Sequence, residues 1–454
     1  MKIRRMLVAN RGEIAVRIIR ACHELDIEAV LAHSEADRDS LGARLADHTV
    51  CIGPPRSDQS YLNIPHVVSA AMTTGCDALH PGYGFLAENA YLAEVCEHCD
   101  LIFVGPPPDV IHTFSDKVVA RRHMAAAGLA TVPGSEDVLP NLDAARSTAA
   151  EVGFPVMLKA AAGGGGRGLR VAASDEDIVR AYSIAQAEAQ ASFGNGDLYV
   201  ERLVFPAKHI EVQLAADNFG NIVHFGERDC SLQRRHQKII EEAPSPALDD
   251  ASRRAVCESA VAGARAAGYR SLGTMEFLLD QEGRFYFIEM NTRLQVEHPV
   301  TEMTTGFDLV KLQIHIAEGE PLSFGQDAVT QRGHAIECRL MAEDADRGFA
   351  PEYATITEYQ PAGGPGVRND GYIYPGYTPP PYYDSLLAKL ICWGQDRTEA
   401  MQRMERALCE TRIVGPRTTI PYQLAILRDE DFRAGRAHTR WGVGGDVETG
   451  DNHR

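Results

Sequence analysis

Lysine is scarce in this chain, tryptophan scarcer still, and a long apolar run is missing. Of 45 lysines and arginines only seven are lysines, Lys2, Lys117, Lys159, Lys208, Lys238, Lys311 and Lys389, so each retained lysine is informative. Surplus positive charge is also lacking: the formal net charge is −18 over 454 residues. Such a surface does not attract nucleic acid or an anionic membrane, and neither is expected as a partner. No run of about 18 apolar residues occurs, which argues against a membrane-spanning helix. The apolar part of MKIRRMLVANRGE covers only Met6 to Ala9, too short for a signal peptide. A cytoplasmic location is therefore expected. The ten cysteines are scattered, except Cys96-Glu97-His98-Cys99. One CxxC without a second ligand pair reads as reduced cysteines in a helix and its end, not as a zinc site.

What is present is ordinary in bulk: 44% hydrophobic and 24% charged residues, enough for a large core. The length suggests about three domains. Residues 3–10, 12–25 and 27–34 read as strand, helix and strand, the start of a parallel sheet. The turn between them holds Asn10-Arg11-Gly12-Glu13 and not GxGxxG, so the usual dinucleotide site is not expected. Prolines at 106–108 end a first domain, 1–114. A second α/β domain, 115–333, contains a segment at about 130–204 that is small enough to be a separate lid. Within that segment Ser174 and Asp177 predict a capped helix ending near Gly194. From His334 short strands and turns predict a mixed third domain, 334–446, and residues 447–454 read as a disordered tail.

The most unusual stretch is FIEMNTRLQVEHPVTE, Phe287 to Glu302. Its polar residues alternate: Glu289, Asn291, Arg293, Gln295, Glu297. If the chain stays extended, all five point one way. Taking Glu282-Gly283 as a two-residue turn puts Gln281 opposite Arg284, Leu279 opposite Tyr286 and Glu276 opposite Glu289. Opposed carboxylates destabilise a sheet unless something compensates. A hard cation such as Mg²⁺ would do so, with Asn291 adding a neutral oxygen; solvent exposure or pairing with arginines is the competing reading. Lys159 ends a second apolar strand and Gly163 to Gly166 follow at once. Glycines let backbone N–H groups approach a ligand. The spacing is not a P-loop, and reads as a mobile flap over phosphates or as a plain flexible hairpin. Gln233-Arg234-Arg235-His236-Gln237-Lys238 is a basic run in an acidic chain. It reads as a solvated face or as an anion clamp.

Together these motifs, with LVANRGEIAVRIIRA, HPGYGFLAENA, FPVMLKAAAGGGGRGLRV, RDCSLQRRHQKIIEEAPSP, GTMEFL and PPYYDSLLAKLI, resemble biotin carboxylase. That family is the ATP-grasp component of biotin-dependent acyl-CoA and pyruvate carboxylases. The resemblance covers about residues 3 to 430. It implies an α/β (α+β) ATP-grasp fold with an N-terminal Rossmann-like β-α domain, a glycine-rich lid and a C-terminal mixed β/α domain. By the same resemblance Lys117, Lys159 and the loop of Gly164, Gly165 and Gly166 meet ATP phosphates. Glu201, Arg202, Leu203 and Val204 meet adenine, with Leu278 beneath the base. His209, Gln233 and His236 contact the nucleotide. Glu276, Glu289 and Asn291 match ligands of Mg²⁺ or Mn²⁺. Lys238, Arg293, Gln295, Val296 and Glu297 match the bicarbonate site. Arg339 matches the arginine that meets biotin, with Tyr83 near it.

The implied activity is ligase chemistry. ATP activates bicarbonate as carboxyphosphate, with Glu297 as general base and Lys238 and Arg293 offsetting charge. Arg339 then stabilises the enolate-like ureido oxygen of biotin. Its competing reading is a structural arginine paired with Glu337 or Asp384. Arg202, where many family members carry lysine, the linker VFPAK and the last residues depart from the pattern. The sequence contains no Ala-Met-Lys-Met motif and no carboxyltransferase region. The expected partners are therefore a biotin carboxyl carrier protein, carboxyltransferase subunits and a second copy of the chain in a homodimer. Two alternatives are a carbamoyl-phosphate-type ATP-grasp ligase and an inactive ATP-binding regulatory subunit.

Overall fold

A β-α-β unit opens the chain, as its apolar spacing dictates. In this computed structural model, β1 (Arg5–Val8) leads into the helix Gly12–Glu24, which buries Ile14, Ile18 and Ile19. The strands β2 (Glu28–His33), β3 (His48–Cys51), β4 (Ala78–His80) and β5 (Ile102–Phe103) complete a sheet of order β3-β2-β1-β4-β5. Every pair in it is parallel. Helices cover both faces, which is why β1 reads as a continuous apolar run. The structure describes residues 2–162, 168–234 and 237–442 and the backbone of 445–446. Gly164, Gly165, Gly166, His236 and the tail 447–454 lie outside the described residues.

A small sheet follows: β6 (Val156–Ala160), β7 (Leu169–Ala172) and β8 (Leu198–Arg202), in the order β7-β6-β8. The helices Leu142–Val152 and Asp175–Phe193 back it and close a separate core around Leu158, Ile178 and Val200. Ser174 caps the second helix by accepting from the Asp177 N–H, and the Asp177 carboxylate accepts from the Ala173 N–H at 3.2 Å. The helix ends at Gly194, in the left-handed region at φ +70°.

The central sheet has eight strands. They are β9 (Lys208–Ala216), β10 (Ile222–Arg234), β11 (Gln237–Ala243), β12 (Ser271–Leu279), β13 (Phe285–Asn291), β14 (His334–Met341), β15 (Val367–Gly371) and β16 (Leu386–Gly394). Their order is β13-β12-β9-β10-β11-β14-β16-β15, antiparallel throughout. Hydrogen bonding runs without a break from β11 to β14, across residue 334 where the sequence changes its pattern.

Two expectations for the β12–β13 hairpin need correction. The turn is longer than two residues: Leu279 faces Phe285, and Leu278, not Leu279, faces Tyr286. The Asp280 carboxylate organises the loop by accepting from the N–H groups of Glu282 and Arg284 at 3.0 and 2.9 Å. A bulge at Ile288 then shifts the register by one and returns Glu276 to a position opposite Glu289. The expected glutamate pair therefore forms by a route the sequence did not suggest. The second correction concerns residues beyond Asn291. The strand ends there, and the chain turns into the helix His298–Thr305 with Glu297 at its N-cap.

Candidate functional site

One row crosses four strands. Glu289, Glu276 and Glu211 are consecutive cross-strand partners on β13, β12 and β9, and Arg228 on β10 faces Glu211. Three carboxylates in line are tolerable only with cations between them. Lys238 supplies one. Its ammonium contacts Glu211 and reaches Glu276 at 3.1 Å and Glu297 at 2.7 Å. His209 supplies another, 2.9 Å from Glu276. Lys117, the first residue of the helix Lys117–Ala126, lies 2.6 Å from Glu289. Burial pushes the Glu276 carboxyl up, but Lys238 and His209 outweigh burial and hold it at about 2. For Glu289 burial is outweighed by Lys117, again to about 2. Burial lowers the His209 imidazole, but Glu276 and Glu211 raise it to about 9.

The five alternating polar residues converge although the chain is not extended. Asn291 and Gln295 donate to Glu276 at 2.8 and 3.1 Å. Arg293 donates to the oxygens of Asn291 and Gln295, both at 3.0 Å. Glu297 is clasped by Lys238 and, at 2.9 Å, by Arg339. Burial and Glu211 raise the Glu297 carboxyl, yet Lys238, Arg339 and Arg228 hold it below the usual range. Arg339 projects from β14 and also donates to Glu241 at 2.6 Å. Its partners are thus Glu241 and Glu297, and not Glu337 or Asp384. The Val296 carbonyl accepts from Lys389 at 2.7 Å. Tyr83 donates its hydroxyl to Glu13.

The remaining candidates lie where the small sheet meets the central one. Lys159 on β6 pairs with Glu201 on β8 at 2.5 Å, and Glu201 also meets Arg121 at 3.2 Å. The Glu201 carboxylate is therefore engaged between the small sheet and the helix Lys117–Ala126. Arg202 donates to the Tyr286 hydroxyl at 3.2 Å. Leu203 and Val204 are half-buried on the linker between β8 and β9, and Leu278 on β12 pairs with His209. The Gln233 side-chain amide lies 3.0 Å from His209 Nδ1.

Sequence reasoning missed two residues. Glu211 shares the alternation His209-Glu211-Gln213, the same signal as Glu289-Asn291. Glu88, in HPGYGFLAENA, receives Arg293 at 3.0 Å and the Thr292 N–H at 3.1 Å. No local pattern marks it. Chemically, Glu276, Glu289 and Asn291 offer oxygen donors suited to a hard divalent cation. His209, Glu211 and Glu276 also lie close, but an imidazole kept protonated is a donor and not a ligand. The Cys96 and Cys99 pair joins no metal-ligand cluster among the described residues.

Comparisons with known proteins identify the family. The family model "Biotin carboxylase, N-terminal domain" matches residues 2–111. "Carbamoyl-phosphate synthase L chain, ATP binding domain" matches 116–324 and "Biotin carboxylase C-terminal domain" matches 337–442. A biotin carboxylase of Nostoc sp. is 52% identical, over 97% of this chain and 98% of the relative. The structure of a biotin carboxylase–βγ-ATP complex from Campylobacter jejuni superposes with a TM-score of 0.95 at 46% identity, covering 97% and 98% of the two chains. The biotin carboxylase domain dimer of Hydrogenobacter thermophilus 2-oxoglutarate carboxylase, solved with MgADP, ADP and bicarbonate, gives 0.94 at 47% identity and covers 97% of each chain. The ATP-grasp architecture is therefore that of its structural neighbours, and the flanking matches disfavour a carbamoyl-phosphate-type enzyme. The chain belongs to the biotin carboxylase family.

Proposed function

We propose that this chain uses ATP and bicarbonate to carboxylate biotin presented on a separate carrier protein. One observation supports this most: Lys238 touches both Glu276 of the paired glutamates and Glu297 of the following turn, at 3.1 and 2.7 Å. A single ammonium thus bridges a phosphate-type metal site and a candidate base. In this reading Lys117, Lys159, Gly164, Gly165 and Gly166 hold ATP phosphates, residues 201–204 and Leu278 frame the adenine, and His209, Gln233 and His236 contact the nucleotide. Glu276, Glu289 and Asn291 would hold Mg²⁺ or Mn²⁺, which supplies charge neutralisation for phosphoryl transfer.

Arg293, Gln295, Val296 and Glu297 hold bicarbonate beside that site. Glu297, kept ionised by Lys238 and Arg339, is a weak base while both clasp it. An incoming anion that shares those two cations raises its basicity, so base strength is coupled to substrate binding. Proton removal lets bicarbonate accept the γ-phosphoryl group as carboxyphosphate. Arg339 then faces the ureido oxygen of biotin, near Tyr83. A lid formed by about residues 130–204 keeps water from the labile intermediate.

The units in this reading are 1–114, 115–333 and 334–446, with a tail after 446. The partners are a biotin carboxyl carrier protein, carboxyltransferase subunits and a second copy, in the cytoplasm. The final acceptor, an acyl-CoA or a 2-oxo acid such as pyruvate, is chosen by the carboxyltransferase. The test is ADP release from Mg-ATP with bicarbonate, with and without free biotin, together with label transfer from radiolabelled bicarbonate. Biotin should accelerate release and carry the label. Acceleration by ammonia and not by biotin would instead mark a carbamoyl-phosphate-type ligase.

A further inference from the structure

Lys389 is one of the seven lysines and has no place in the chemistry above. It is fully buried, which is rare for lysine, and sits on β16 directly opposite Arg339. Its ammonium donates to the Val296 carbonyl at 2.7 Å and pairs with Glu13 at 3.0 Å. Glu13, from the first helix, is equally buried. The same Glu13 oxygen accepts the Tyr83 hydroxyl. A buried ion pair is seldom more stabilising than apolar side chains of the same volume. What this pair provides is geometry: Val296 lies between Gln295 and Glu297, so its peptide orientation sets where both side chains point.

We infer that Lys389 and Glu13 are positioning residues for this reaction. Lys389 fixes the turn that presents Gln295 and Glu297 to bicarbonate, and Glu13 holds Lys389 and Tyr83 from one oxygen. The biotin-facing tyrosine and the bicarbonate turn thereby share a single buried junction, built from the first helix and the next-to-outermost strand of the central sheet. The inference rests on the reading of residues 293–297 as the bicarbonate site.

The experiment compares Lys389→Met, Glu13→Gln and the double variant by steady-state kinetics and thermal unfolding. Lys389→Met should raise the bicarbonate KM on the order of tenfold or more and leave the ATP KM within about twofold. It should also melt lower, because Glu13 is left uncompensated. The double variant removes one charge of each sign from the junction, so its melting temperature should recover while the bicarbonate KM stays raised. Since it folds even where Lys389→Met fails, it answers alone. Glu13→Gln alone should raise the biotin KM more than the bicarbonate KM. A double variant with wild-type bicarbonate KM overturns the inference and leaves a pair that only balances charge. Arg293→Ala serves as the control. If it leaves the bicarbonate KM unchanged, the site reading fails; if it raises that KM and Lys389→Met does not, only the role of Lys389 fails.

Discussion

Glu211 shows what a single residue contributes here. It lies between Lys238, Arg228 and His209 with no solvent exposure. Glu211→Gln leaves Lys238 and Arg228 short of a counter-charge, so stability should fall by about 3–5 kcal/mol and turnover should fall with it. Denaturant unfolding beside an ADP-release assay checks both. The outer glutamate behaves differently. From the sequence, opposed Glu276 and Glu289 repel, and removing one charge should stabilise the metal-free protein. The 2.6 Å contact from Lys117 to Glu289 cancels that gain. Glu289→Gln should lower turnover at saturating ATP on the order of a hundredfold or more, with no rise in melting temperature. Full Mg²⁺-dependent activity in that variant would remove Glu289 from the metal site. Glu211 was legible in kind, as a carboxylate in an alternating strand. It was not legible in place, because a short turn ties β9 only to β10, and no turn ties it to β12, which carries Glu276.

At the scale of elements, the hairpin explains why a sequence can reach the right pair through the wrong register. A two-residue turn and a longer loop followed by a bulge both put Glu276 opposite Glu289. Only the loop, set by Asp280, accounts for Leu279 facing Phe285. Side-chain alternation cannot reveal a bulge, because a bulge is the place where alternation breaks. The turn after Asn291 was hidden for a related reason: its polar residues keep a spacing of two while the backbone leaves the strand. Another junction yields a pH prediction. Glu242 on β11 receives Arg397, at the start of the helix Arg397–Glu410, at 2.6 Å and His334 at 2.8 Å. Burial pushes its carboxyl up, but His334 and Arg397 outweigh burial and hold it at about 2. A depressed carboxyl stabilises the fold above its unfolded value, and that contribution is lost as pH falls toward the folded value. Glu242→Gln should therefore cost about 3 kcal/mol near neutrality. The gap to wild type should close between about pH 4.5 and 2. Urea midpoints across that window measure it, and a constant gap would contradict the assignment.

Across the whole molecule, the site is assembled where separate segments meet. Lys117 comes from a helix, Lys238 from β11, Arg339 from β14, and Glu297 from the turn after β13. The motifs were readable one by one, but their meeting depends on the strand order β12-β9-β10-β11-β14, in which two pairings, β12–β9 and β11–β14, join strands that do not follow each other in the chain. Local patterns do not encode that order, and the family resemblance supplied only the architecture and the roles of the residues. The same continuity carries the sheet past residue 334, so the strand that bears Arg339 is rigidly registered to the one that bears Lys238. That registration underlies the central claim, that Arg339 serves biotin while Lys238 and Glu297 serve bicarbonate. The most direct measurement is ADP release by Arg339→Ser with and without biotin, alongside thermal unfolding. The account predicts that biotin stimulation is lost while slow bicarbonate-dependent ATP hydrolysis persists in a folded protein. Parallel loss of both activities with a lowered melting temperature would contradict it, and would leave Arg339 as a structural partner of Glu241.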